Sequence, residues 1–199
     1  MILGDKWAFI HIPKTSGTNF QKRLLEENLA KDLHIQYSRH FTHQPLWWWE
    51  SKIDLKDTEI FTIVRNPYVR FLSLYNHIHS NVDGIPDLES FIRSNQFENI
   101  NSLIREQVGE TWSNELSFDL FWPQHRFIES ETKNVKIFKH ENDLEKLEKI
   151  VGCNFTSTSL NRREYDRNLQ TRYNKYTKSA IYSLYKEDFI RWEYSNELF

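Results

Sequence analysis

Six consecutive residues, Pro13-Lys14-Thr15-Ser16-Gly17-Thr18, combine one cation, three hydroxyls and a glycine. That set suits a phosphate or a related oxyanion. A helix N-terminus offers unpaired N–H groups and a partial positive charge. Gly17 lets the backbone come close, Lys14 adds a full charge, and Thr15, Ser16 and Thr18 add hydroxyl donors. The run is not a Walker A loop, which needs a glycine five residues before its Gly-Lys pair. Here the lysine follows proline, and residues 9–12 contain no glycine. On its own pattern the run reads equally well as a strand-to-helix turn capped by its serine and threonines.

A second run is Arg65-Asn66-Pro67-Tyr68-Val69-Arg70-Phe71-Leu72-Ser73. An arginine at the carboxyl end of a central parallel strand faces the crevice where such sheets bind ligands, and its planar fork suits a phosphate. Ser73 lies two turns into the following helix and can donate to the same anion. Taken singly, Ser73 reads as a surface residue and Arg70 as a solvated or salt-bridged cation. Between the two runs stand His40, His43 and three consecutive tryptophans, Trp47, Trp48 and Trp49. A neutral histidine can take a hydroxyl proton near pH 7. Three consecutive residues on a strand cannot share one face, so at least one tryptophan is expected to be exposed or in a pocket, where sugars or apolar acceptors stack. Packing in a lid or in the core is an equal alternative. Arg126, Arg162 and Arg163 are later cations available to either site.

These residues need a frame. Residues 7–12 form a short β-prone run ended by Pro13, and 19–32 read as a helix with Phe20, Leu24, Leu25 and Leu29 on one face. Residues 33–37 suggest a second strand, and 38–53 read as irregular. Glu59 to Val64 is the clearest strand, apolar enough to be buried on both faces. Pro67 suits the first turn of the next helix, on which Val69, Phe71, Leu72, Tyr75 and Ile78 recur at helical spacing. Residues 83–117 read as helical with polar loops, and 135–138 as a strand. Asn142 with Glu145 has capping-box spacing, Leu144, Leu147 and Val151 form an inner helical face, and Gly152 ends that helix. A last helix spans 175–188. Strands alternating with helices predict an α/β, three-layer P-loop-like fold with a short parallel sheet flanked by helices.

Composition removes several classes. The chain has 199 residues, 15% of them aromatic, only five glycines and a net charge of −2. It fits one domain over 1–199, and it lacks the basic surplus of a general nucleic-acid binder. Cys153 is the single cysteine, which excludes an internal disulfide and a cysteine-based zinc site. No run approaches the ~18 apolar residues of a membrane span. With no leader-like N-terminus, the expectation is a reducing cytoplasm. The sequence sets no oligomeric state.

The two anion-binding runs, taken together, resemble a known family. His11 to Thr18 is similar to the 5′-phosphosulfate loop of the sulfotransferases, closest to the carbohydrate enzymes, where it typically reads Pro-Lys-Thr-Gly-Gly-Thr. Val64 to Ser73 resembles their 3′-phosphate segment: Arg-(Asp/Asn)-Pro, two residues, Arg, two residues, Ser. Trp122-Pro123-Gln124, Phe138 to Leu144 and Tyr185 to Tyr194 resemble further segments in the same order.

The resemblance implies 3′-phosphoadenosine 5′-phosphosulfate (PAPS) as sulfate donor and no metal. It implies Lys14 on the sulfate and bridging oxygen, Thr15, Ser16, Gly17 and Thr18 around the 5′-phosphate, and Arg65 and Ser73 on the 3′-phosphate. Residues 37–41 are similar to the Gly-His segment of the heparan and dermatan uronyl enzymes, with Arg39 in place of the glycine. This makes His40 the implied base and His43 the next candidate, with a carboxylate also open. His43, Trp47 and Trp48 are candidates for contact with the acceptor, a hydroxyl-bearing molecule expected to be a carbohydrate. Two rival readings use the same frame. An ATP-dependent small-molecule kinase needs a Walker A glycine and an acidic Mg²⁺ ligand after an apolar strand, but Val64 is followed by Arg65 and Phe138 by Lys139. A non-catalytic nucleotide- or glycan-binding module would not need Lys14.

Overall fold

The computed structural model describes residues 1–33, 43–108, 119–155 and 169–197. His40, Arg162 and Arg163 lie outside them. In chain order the described strands and α-helices are β1 (Ile2–Leu3), β2 (Trp7–Ile10), α1 (Gly17–Glu26), β3 (Lys31–Asp32), α2 (Leu46–Glu50), β4 (Glu59–Val64) and α3 (Pro67–His79). Then come α4 (Leu88–Arg93), α5 (Ile100–Val108), β5 (Val135–Lys139), α6 (Leu144–Val151), α7 (Leu169–Arg172), α8 (Lys175–Leu184) and α9 (Lys186–Arg191). The chain divides into two compact units. One comprises 1–65, 115–118 and 124–161; the other comprises 66–114, 119–123 and 162–199.

The first unit is built on a five-stranded sheet of order β3-β1-β2-β4-β5. β2, β4 and β5 run parallel, with Phe9 beside Phe61 and Ile63 beside Phe138, whereas β1 pairs antiparallel with both β2 and β3. The expected parallel sheet is therefore a mixed one. Its extra strands are two-residue pieces, too short to show a period-2 pattern. One face carries Phe9, Phe61, Ile63 and Phe138 against Phe20 and Leu24 of α1 and Leu147 and Val151 of α6. The other carries Ala8, Ile10 and Ile60 against Leu46 and Trp49 of α2. Helices thus cover both faces.

Several local expectations change. α1 stops at Glu26, and its chain turns through the left-handed Asn28 before β3. The tryptophans sit on α2, not in an irregular stretch: Trp49 is fully buried, Trp48 packs partly against the core, and Trp47 is 45% exposed. Helical spacing, rather than strand alternation, separates them. Asn142 does not cap α6. Asp143 stands at the cap, and its carboxylate accepts from the Lys139 N–H at 2.9 Å and from Lys146 Nζ at 2.6 Å. The bond from Lys146 and then that from the Lys139 amide hold the Asp143 carboxyl below its usual range. Gly152 does end α6, at φ 71°.

The second unit is helical. Asn66 caps α3 by accepting from the Tyr68 N–H at 3.0 Å, with Pro67 in the first turn. Phe71, Tyr75, Phe91, Phe97 and Phe121 form its aromatic core. The expected last helix is two helices broken at Tyr185, whose hydroxyl donates to the Phe121 carbonyl at 2.7 Å. Among the described residues no helix is long and apolar enough to cross a membrane.

Candidate anion-binding site

The loop between β2 and α1 has an unusual backbone. Lys14 (φ 64°) and Ser16 (φ 76°) are both left-handed, without being glycine. Left-handed residues within a turn aim successive N–H groups inward and form a concavity for an anion. The ten-residue α1 begins at the next residue, Gly17, so its free N–H groups open onto the same loop. Thr15 is fully buried, and its hydroxyl donates to the Ile12 carbonyl at 2.9 Å. That bond pins the turn and commits the hydroxyl proton, so Thr15 offers an anion its backbone. Lys14 and Ser16 are half-buried and Thr18 is exposed.

Gly17 is required by packing. A Cβ there would run into the His11 ring. His11 is itself buried, stacked over Phe9 at 6.0 Å and met edge-on by His43 at 4.3 Å. His43 Nδ1 lies 2.9 Å from the His11 carbonyl. A carbonyl can only accept, so Nδ1 carries the proton, and in the neutral ring the basic lone pair is on Nε2. The structure therefore sets His43 beside the loop, through His11.

Ser16 is an N-cap that makes no side-chain capping bond, and a left-handed conformation costs an L-residue ~1–2 kcal/mol. Ser16→Gly is expected to stabilise the protein by about 0.5–1 kcal/mol, after the extra backbone entropy of glycine in the unfolded chain is subtracted. Calorimetry should show a melting temperature higher by about 2 °C. An unchanged or lower value would mean that the Ser16 side chain supports the loop.

Arg65 follows β4 directly. It is 8% exposed, and its Nη1 donates to the Lys14 carbonyl at 3.3 Å. The first anchor of the second run is thus joined to the first run. Its backbone is held by a residue of the Trp122-Pro123-Gln124 segment, to which the sequence assigned no role. Gln124, fully buried, accepts from the Arg65 N–H at 2.9 Å and donates to the Arg65 carbonyl at 2.8 Å. No local pattern marks such a pair, since the partners are 59 residues apart. Ser73 belongs to the other unit, buried on α3. Trp47 and Trp48 lie on α2, where Trp48 meets Trp49 edge-on at 4.8 Å.

Of the two expectations for Arg70, solvated or salt-bridged, burial removes the first. It is 1% exposed; Nη1 donates to the Trp122 carbonyl at 2.9 Å and Nη2 to that of Leu120 at 3.1 Å. Its guanidinium lies over the Tyr185 ring at 5.9 Å. Burial pulls its pKa down, and Tyr185, Asp188 and Asp119 oppose that shift. Arg70 is a clamp for residues 120–122, not an anion ligand. Cys153 is buried, and desolvation, with Glu27 adding to it, pushes its thiol pKa up. Among the described residues no cluster of three or more His, Cys, Asp or Glu side chains is arranged to hold a metal ion.

The sequence model of one family, described as the sulfotransferase family, matches residues 4–195. Comparison with curated proteins and with solved structures gave no match.

Proposed function

The chain belongs to the sulfotransferase family, and from that premise we propose that it moves a sulfuryl group from PAPS to an acceptor hydroxyl, on a carbohydrate, over a P-loop-like framework. The proposal treats residues 1–199 as one sulfotransferase-like domain. The observation that carries it is the hydrogen bond from Arg65 Nη1 to the Lys14 carbonyl, which ties the two anion-binding motifs together. The residues present fit the donor. Two left-handed residues and the α1 N-terminus suit a 5′-phosphate. Arg65, at the end of β4, suits a 3′-phosphate, and the family resemblance adds Ser73 as the second candidate.

In the proposed reaction the acceptor oxygen bonds to sulfur as the bond from sulfur to the bridging oxygen breaks. The hydroxyl proton passes to a base, and the electron pair stays on the departing 3′,5′-bisphosphate nucleotide. Lys14 stabilises that developing charge, an interaction stronger in the transition state than in the ground state. Thr15, Ser16, Gly17 and Thr18 hold the 5′-phosphate. Trp47 and Trp48 are the aromatic candidates for stacking on the acceptor.

The donor reading is tested by calorimetry with 3′,5′-adenosine bisphosphate and AMP. The bisphosphate should bind at least ~10-fold more tightly, because charge-assisted hydrogen bonds contribute ~1.5–3 kcal/mol each. Arg65→Ala should remove most of the difference. Equal affinities in the unaltered protein would overturn the reading.

The base in this proposal is His40, with His43 as the alternative. A base must be neutral to accept the proton, so turnover should fall as pH drops through the histidine range of ~6.5. His40→Ala should lose turnover and keep nucleotide binding. A dead His43→Ala beside an active His40→Ala would move the role to His43. Activity in both would place the base elsewhere.

A further inference from the structure

The geometry points to Gln124 as the positioning residue for the Arg65 guanidinium; this rests on the reading of Arg65 as a 3′-phosphate ligand. β4 pairs with β5 as far as Val64 beside Lys139. The His140 N–H then reaches the Val64 carbonyl at 2.7 Å, which carries the ladder to the end of β4. At Arg65 a side chain takes over from the strand. The Gln124 amide accepts from the Arg65 N–H at 2.9 Å and donates to the Arg65 carbonyl at 2.8 Å, from a fully buried position.

A primary amide presents one acceptor and two donors on a planar fork, so it pairs with a peptide unit as a neighbouring strand does. It fixes the Arg65 backbone just where the side chain must turn towards the Lys14 carbonyl. Arg65 is 8% exposed and has little room to recover its aim by changing rotamer. A displacement of ~1 Å takes a donor out of the ~2.7–3.2 Å range of a hydrogen bond. Gln124 therefore acts through Arg65: it sets the preference for a 3′-phosphate without touching the nucleotide.

The test is calorimetric titration of 3′,5′-adenosine bisphosphate and AMP into the unaltered protein, Arg65→Ala, Gln124→Met and Gln124→Glu. Methionine keeps the volume and loses both bonds; an ionised glutamate keeps the acceptor and loses the donor. The expected result is a bisphosphate preference of at least ~10-fold in the unaltered protein. In Gln124→Met it falls to within ~3-fold of the Arg65→Ala value while AMP affinity changes less than ~2-fold, and Gln124→Glu lies between. If Gln124→Met does not fold, Gln124→Glu carries the test, its expected preference at least ~3-fold below that of the unaltered protein with AMP affinity changed less than ~2-fold. A full preference in the folded glutamine variants, or equal weakening of both nucleotides, overturns the positioning role and leaves the donor reading standing. No preference in the unaltered protein overturns both.

Discussion

Lys14→Ala is expected to lower the rate of sulfuryl transfer by at least ~100-fold and to leave the folding midpoint close to that of the unaltered protein. The magnitude is that of removing one donor aimed at developing charge. The stability half of the expectation comes from the backbone. What Arg65 uses at this position is the Lys14 carbonyl, and alanine supplies the same carbonyl. Both residues bear a Cβ at φ 64°, so the left-handed strain is nearly unchanged. The measurements are turnover with a verified acceptor and a urea unfolding curve. Near-normal turnover would remove Lys14 from the chemistry. A large loss of stability would make it a structural residue instead.

Arg70→Ala has the opposite signature: a large loss of stability, with loss of activity only as a consequence. The substitution removes two charge-assisted bonds to the Trp122 and Leu120 carbonyls, leaves those acceptors buried, and opens a cavity beside Tyr185. Such bonds are worth ~1.5–3 kcal/mol each, so the expected loss is about 3–5 kcal/mol. That is a large share of the ~5–15 kcal/mol that holds a domain folded. Arg70→Lys should recover only part, since an ammonium cannot reproduce the fork. Denaturant unfolding decides it. A change below ~1 kcal/mol in Arg70→Ala would show that residues 120–122 are held by other contacts.

Arg70 and Gln124 also mark where the sequence stops being informative. β2, β4, β5, the Pro67 helix start and the Gly152 helix stop are all legible, because each depends on residues within one or two turns of itself. The Pro13–Thr18 loop is legible for the same reason, although the left-handed backbone at Lys14 and Ser16 is not what those residue types favour. The roles of Arg70 and Gln124 depend on carbonyls and amides 50 or more residues away. Such partners leave no periodicity. The tryptophans are open to misreading because β-prone aromatics can be carried into a helix when one of them, here Trp49, fills a core. The break at Tyr185 is hidden because the apolar spacing of α8 continues through it; the tyrosine leaves helical geometry at φ −111° while its hydroxyl bonds to Phe121.

The strand order has a consequence for self-association. An edge strand exposes a row of backbone donors and acceptors on which another chain can add a strand. Among the described residues this sheet ends in β3, two residues long, and in β5, Val-Lys-Ile-Phe-Lys. On β5, Lys136 points to solvent and pairs with Glu59 of the neighbouring strand. A second copy docking edge to edge along β5 would bring lysine towards lysine and find few rungs to form. Short, charged margins of this kind favour a sheet that stays finite when the protein is concentrated.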